Sequence, residues 1–246
     1  MTAPAPDAGD PRLAQLQQRL GAVRERIGAA MAAAGRQDAA PQLIVVTKFH
    51  PAEDVTRLAA LGVTDVGENR DQEAADKAAR LADLRLRWHF IGQLQSNKAK
   101  SVVKYASAVH SVDRAQLVAA LAKAVTGEQE RTGRPDLDCF IQVGLDDGAG
   151  GHRGGALPSE VPALADQLAA ANGLRLAGVM AVAPLGAAPE PAFEKLAAIA
   201  GRLRAGHPLA TGISAGMSQD LEAAVRFGAT HLRIGSDILG PRPALR

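Results

Sequence analysis

The chain has 246 residues, 47% of them hydrophobic and 3% aromatic, with a formal charge of +2 and a single cysteine. That length suits one large domain or two small ones, and an α/β barrel takes about 250 residues. The near-neutral charge gives no electrostatic case for nucleic acid. One cysteine excludes an internal disulfide framework and fits a reducing, cytoplasmic compartment, and no apolar run nears the ~20 residues that span a bilayer.

Residues 1–10 mix Pro, Ala, Asp and Gly without the basic start of a signal peptide, and are expected to form a disordered tail before one domain over 11–246. Arg12 to Gly35 has helical spacing, with Leu13, Leu16, Leu20, Val23, Ile27 and Met31 on one face. Strand-like and helix-like stretches then alternate. Leu43–Thr47 is a buried strand, three of its four leading apolar residues being β-branched. Pro51 reads as the first position of a helix running to about Leu61. Val63–Asn69 is a second strand and loop, Asp71 to about Leu81 a polar helix, and Arg87–Gly92 a third strand. A short helix around Ser96–Tyr105 precedes strand Ala108–Val112. Asp113 then caps a helix, with Gln116 as its capping-box partner. Strand Asp138–Leu145 leads into a Gly-rich mobile loop, Asp146–Gly155. The remainder reads as helix Ser159–Ala171, strand Leu174–Val182, helix Pro191–Ala205, strand Thr211–Ala215, helix Gln219–Phe227 and strand His231–Ile234.

Eight strand–helix units predict an α/β fold, a single (β/α)8 TIM-type barrel with an extra N-terminal helix. An open doubly wound sheet is the alternative. The count of eight, and the lack of a Gly-x-Gly-x-x-Gly turn after the first strand, favour the barrel.

Function in a barrel collects at the carboxyl ends of the strands. Lys48 ends the first strand. Inside the fold its amine would be desolvated and nucleophilic, suited to a Schiff base with an aldehyde; snorkelling to solvent is the plainer reading. Ser214-Ala-Gly-Met-Ser218 places hydroxyls and small residues before a helix, and Gly235-Ser236 follows the eighth strand. Loops after strands seven and eight are a frequent phosphate site in barrels, although capping by Ser218 and ordinary turns would also account for them. Arg233 could point inward and keep a pyridine nitrogen unprotonated, or form a strand-end salt bridge. The six histidines lack ligand spacing, so no metal is expected. His89 reads as a hydrogen-bonded core residue, Cys139 as a buried structural thiol, and Lys98, Lys100 and Lys104 as a solvated face.

These pieces carry a recognisable pattern. Val46-Thr-Lys-Phe-His-Pro51, Gly67-Glu-Asn69, Trp88-His-Phe-Ile-Gly-Gln-Leu-Gln-Ser-Asn-Lys98, His110-Ser-Val-Asp113, Gly178-Val-Met180, Ser214-Ala-Gly-Met-Ser218 and Arg233-Ile-Gly235 follow one another over nearly the whole chain after residue 40. The chain resembles the pyridoxal phosphate homeostasis proteins, a single-domain family similar to the barrel of alanine racemase. The resemblance implies pyridoxal 5'-phosphate as cofactor, with Lys48 as the lysine of the internal aldimine. It further implies phosphate contacts from Ser218, Gly235 and Ser236, Arg233 against the pyridine nitrogen, and Asn69 and Met217 near the cofactor. Ser214 and Gly216 complete the candidate site as members of the first phosphate loop. The family is thought to hold and deliver the cofactor without established turnover, which implies no enzyme and PLP-dependent apo-enzymes as candidate recipients; no membrane partner is expected, and a single barrel without the racemase's β-domain makes a monomer the expectation. An amino-acid racemase is the alternative, and a barrel with a lost site a third reading. Arg70 stands where the family usually has Tyr, and Gly144 where many members have Asn.

Overall fold

The computed structural model describes residues 9–145, 154–184 and 186–242. Eight parallel strands close into a barrel in chain order, with the eighth pairing back onto the first. They are β1 (Gln42–Val46), β2 (Asp65–Glu68), β3 (Arg87–Phe90), β4 (Ala106–Val112), β5 (Leu137–Gln142), β6 (Leu174–Met180), β7 (Gly212–Ser214) and β8 (His231–Ile234). The helices are α1 (Pro11–Ala33), α2 (Ala52–Ala60), α3 (Asp71–Arg80), α4 (Ala99–Val102), α5 (Ala115–Thr132), α6 (Val161–Ala170), α7 (Glu190–Gly206), α8 (Leu221–Arg226) and α9 (Ser236–Leu239). The expected barrel and its extra first helix are both present. No helix among the described residues is long and apolar enough to cross a membrane.

The strands form where β-branched and apolar residues run together, because both faces of a parallel sheet in a barrel are covered. Their outward side chains meet the helices in one continuous core that includes Val45, Val66, Val109, Ile141, Val179 and Leu232. α1 joins that core through Leu16, Leu20, Val23, Ile27 and Met31, the predicted apolar face. Asp10, assigned above to the tail, is the N-cap of α1: its carboxylate accepts from the Arg12 N–H at 2.8 Å. Residues 1–8 of that tail lie outside the described residues, as does most of the Gly-rich loop.

Several boundaries differ from expectation for local reasons. β4 begins two residues early, at Ala106, where Trp88 pairs with it despite the weak strand preference of Ala and Ser. The helix after β3 opens as a 3-10 turn over Ser96–Lys98 before α4. Asp113 does not cap α5. The N-cap is Arg114, without a side-chain cap, and Arg114 Nη1 takes the Asp113 carboxylate at 2.5 Å. Pro51 is the N-cap of α2 rather than its first residue.

Candidate cofactor-binding site

A cleft of about 460 Å³ opens at the carboxyl ends of the strands, a size suited to a small cofactor. Lys48, Met217, Ser218, Arg233, Gly235 and Ser236 all line it. They arrive from the ends of β1, β7 and β8, which adjoin around the barrel.

Lys48 follows β1 and is half-buried, with no side-chain hydrogen bond among the described residues. Burial pushes its amine below the ordinary lysine range. The charges of Arg242 and Arg233 push the same way, while Glu68 opposes them. An amine so placed is a better nucleophile near neutral pH than a solvated lysine.

Ser236 Oγ donates to Ser218 Oγ at 3.0 Å, joining the two loops that follow β7 and β8. Ser218 does not cap α8. The Asp220 carboxylate instead accepts from the Met217 N–H at 2.6 Å, shaping the loop from within. α1 braces both loops from outside. Arg26 donates to the Ser218 carbonyl at 3.1 Å and to Asp237 at 2.6 Å, and also pairs with Glu222. Hydroxyls of Ser218 and Ser236, which among the described residues bond only to one another, suit an anionic oxygen group. With an amine lining the same cleft, this donor set fits a ligand carrying both a phosphate and an aldehyde.

Arg233 points into the barrel and is 4% exposed. Its Nη1 donates to Ser214 Oγ at 2.6 Å and its Nη2 to the Ala181 carbonyl at 2.9 Å. Burial lowers its pKa to about 10, so it keeps its charge at neutral pH. Behind it runs a buried chain of contacts. Ser214 Oγ lies 2.8 Å from His110 Nδ1, His110 Nε2 2.9 Å from His89 Nδ1, and His89 Nε2 2.8 Å from Asp65 Oδ1. Burial holds His110 well below the ordinary histidine value, so it is neutral. If each ring carries one proton, a single assignment satisfies every link. His89 donates to Asp65, His110 donates to His89, Ser214 donates to His110, and Arg233 donates to Ser214. Ser214→Ala would leave the Arg233 Nη1 and the His110 Nδ1 without their shared partner. It is expected to cost about 2 kcal/mol of unfolding free energy in a denaturant titration, and an unchanged midpoint would contradict this chain.

Three of the candidate residues do not line the cleft. Ser214 is fully buried beneath Arg233. Gly216 has φ +93, and a Cβ there would lie 2.6 Å from Ala224 Cβ and 2.7 Å from Leu232 Cδ2, so it permits close packing of the loop on the wall. Asn69 follows β2, and its Oδ1 is buried with no hydrogen-bond partner among the described residues. Conversely, Phe49, His50, Asp220 and Arg242 line the cleft without having been singled out. Phe49 and His50 adjoin Lys48 in sequence, a signal that was available. Arg242 lies beyond the last strand and carried none. Guanidiniums of Arg242 and Arg70 lie 4.5 and 5.0 Å from the Phe49 ring centroid, within cation–π range. His89 is a hydrogen-bonded core residue as expected, Cys139 is a buried thiol pushed up by burial, and Lys98, Lys100 and Lys104 are exposed. No cluster of His, Cys, Asp and Glu among the described residues is arranged to hold a metal ion.

Comparison with known proteins places this arrangement. The sequence profile of the family described as "Alanine racemase, N-terminal domain" matches residues 18–243, so the barrel is of that class. A pyridoxal phosphate homeostasis protein of Corynebacterium glutamicum is 43% identical over 223 residues, covering 90% of this chain and 99% of that one. Another, of Mycobacterium tuberculosis, is 41% identical over 243 residues, covering 94% of each. Among solved structures, PipY of Synechococcus elongatus PCC7942 with PLP bound superposes with a TM-score of 0.77 at 33% identity, over 92% of this chain and 100% of that one. The chain belongs to the pyridoxal phosphate homeostasis protein family. These relatives are named for homeostasis of the cofactor rather than for a reaction.

Proposed function

We propose that this chain binds pyridoxal 5'-phosphate as a Schiff base on Lys48 and acts in intracellular homeostasis or carriage of the cofactor without robust catalysis. One observation carries the reading: the Lys48 amine, the buried Arg233 guanidinium and the paired Ser218 and Ser236 hydroxyls line one cleft. The relative whose structure is described with PLP bound supports the choice of ligand. In this reading Ser218, Gly235 and Ser236 hold the phosphate, Met217 packs near the ring, and Arg233 faces the pyridine nitrogen. When bound, the cofactor supplies an aldehyde electrophile and an electron sink. A charged Arg233 beside the nitrogen keeps that nitrogen unprotonated and weakens the sink, which favours holding over turnover.

Racemisation needs acid–base groups on both faces of a carbanion. The chain's one tyrosine, Tyr105, contacts Asp71 at 3.3 Å and does not line the cleft. Carriage would have the protein act in the cytoplasm as a monomer that passes cofactor to apo-enzymes. Purified protein is expected to gain a visible band with pyridoxal phosphate that borohydride traps. Lys48→Ala should lose it. A band identical in the variant would overturn the assignment of Lys48, and robust Lys48-dependent racemisation of any amino acid would overturn the carrier reading.

A further inference from the structure

We infer that Glu73 and Lys77 are a positioning pair that clamps the turn carrying Lys48 and so aims its amine into the cleft. This rests on the reading of Lys48 as the Schiff-base lysine. Residues 47–50 make a tight turn, closed by the His50 N–H on the Thr47 carbonyl at 3.1 Å. Its third residue, Phe49, has φ 68. That is the left-handed region, which bulky L-residues rarely enter. Among the described residues it is the one non-glycine with positive φ, and strain of this kind persists only where surrounding contacts over-determine it.

Those contacts converge from α3 and the end of β2. The Glu73 carboxylate accepts from the Phe49 N–H at 2.7 Å. Lys77, one turn further along α3, donates to the same Glu73 oxygen at 2.6 Å, to Glu68 Oε1 at 2.8 Å and to the Thr47 carbonyl at 2.9 Å. Thr47 Oγ1 donates to Glu68 Oε1 at 2.7 Å. Backbone groups on both sides of Lys48 are therefore gripped by one charged cluster. Lys77 is 5% exposed and its three ammonium protons all have acceptors. It does not line the cleft, so it is not a second Schiff-base lysine; its work is done through the turn. An ammonium shared by two carboxylates also fixes direction better than an apolar contact would, because charge-assisted hydrogen bonds are short and directional.

The capture step forms a C=N bond between Lys48 Nζ and the aldehyde carbon and releases water; borohydride then delivers hydride to that carbon and makes the link permanent. The test compares wild type with Glu73→Ala, Glu73→Gln, Lys77→Met and Lys48→Ala. Two quantities are read: the rate of borohydride-trapped capture of pyridoxal phosphate, and the affinity for pyridoxine 5'-phosphate, which has the phosphate but no aldehyde. Glu73→Ala and Lys77→Met are expected to slow capture about tenfold or more, the scale set by losing a charge-assisted hydrogen bond. Glu73→Gln, which keeps an acceptor for the Phe49 N–H, should recover part of that rate. Affinity for the alcohol should stay at the wild-type value in the Glu73 and Lys77 variants. Capture at the wild-type rate in Glu73→Ala overturns the inference, and so does a parallel loss of both quantities, which would mark a merely structural pair. Should Lys77→Met fail to fold, the two substitutions at the more exposed Glu73 decide. Wild-type capture by Lys48→Ala would instead overturn the reading of Lys48, a separate outcome.

Discussion

Gly178→Ala is expected to remove a large part of the folding stability of this chain. Gly178 sits in β6 at φ +152, and a Cβ built there would lie 1.9 Å from the Gly212 carbonyl oxygen and 2.6 Å from its carbon. Those are backbone atoms of the paired strand β7, so no side chain can swing aside. Strain at that φ and the overlap together cost roughly 4 kcal/mol or more, against a total of about 5–15 kcal/mol for a typical domain. Gly212 is bound by the same geometry, since its own Cβ would meet Phe140 Cε1 at 2.6 Å. The missing side chain of Gly212 makes room for the Phe140 ring, which stacks on His110 with centroids 4.3 Å apart. Ala181, just past the end of β6, and Ser214, the last residue of β7, are the two acceptors that hold Arg233. Denaturant unfolding, or partition into the insoluble fraction on expression, checks the result. Gly201→Ala serves as the contrast: it lies within α7 with open space around its Cβ, and should stabilise by about 1 kcal/mol. Wild-type stability in Gly178→Ala would show that β6 and β7 do not approach as described.

The eight strands were readable in the sequence because a barrel strand is covered on both faces and is written as a short apolar, β-branched run. Leu43–Val46 states this almost without interruption. Boundaries were less readable where pairing overrode preference, as at Ala106, or where a side chain found a stronger partner than a helix end, as Asp113 did with Arg114. Part of the cleft was legible because its residues stand at or just after strand ends, and the barrel brings consecutive ends together. The rest was not. Arg26 lies in the first helix and Arg242 beyond the last strand, and only three-dimensional closure of the barrel brings both to the loop residues. The buried chain behind Arg233 was also hidden. His89 and His110 each look solitary in sequence, and the register of β3 against β4, with closure of the barrel, is what lines them up between Asp65 and Ser214. In the same way Glu73 and Lys77 read as an ordinary exposed helix pair, i and i+4, until α3 is seen to lie under the turn after β1.

Acid should loosen this molecule before most of its surface carboxylates titrate. Burial holds His231 down to about 4 from its ordinary 6.5, with the charges of His89 and Arg233 adding and Asp65 opposing. Burial also keeps His110 well below that value. Between the folded and unfolded values the unfolded chain binds more protons, so stability rises with pH across that window and falls as pH drops from about 6.5 toward 4. The gap at His231 alone corresponds to about 3 kcal/mol. Glu68, Asp138 and Asp220 are pushed up by burial and pull the other way over part of the same range. The histidine share is therefore read as the difference between wild type and His231→Gln in unfolding experiments from pH 7 to pH 4, with the variant expected to show the shallower decline. Asp65, held low chiefly by the hydrogen bonds from His89 and Arg87 against the cost of its burial, adds a second loss only below the ordinary aspartate range. The two windows are thus separable by pH. Protonating His110 would also reverse its link to Ser214, turning a ring nitrogen that accepts into one that donates, and Arg233 would lose its fixed acceptor orientation. Because burial keeps His110 neutral in the folded protein until well below its ordinary value, cofactor release from the loaded protein is expected to accelerate only as pH falls that far, and ahead of global unfolding. Release that stays flat until the barrel melts would show that the buried histidines stabilise the fold without reaching the site.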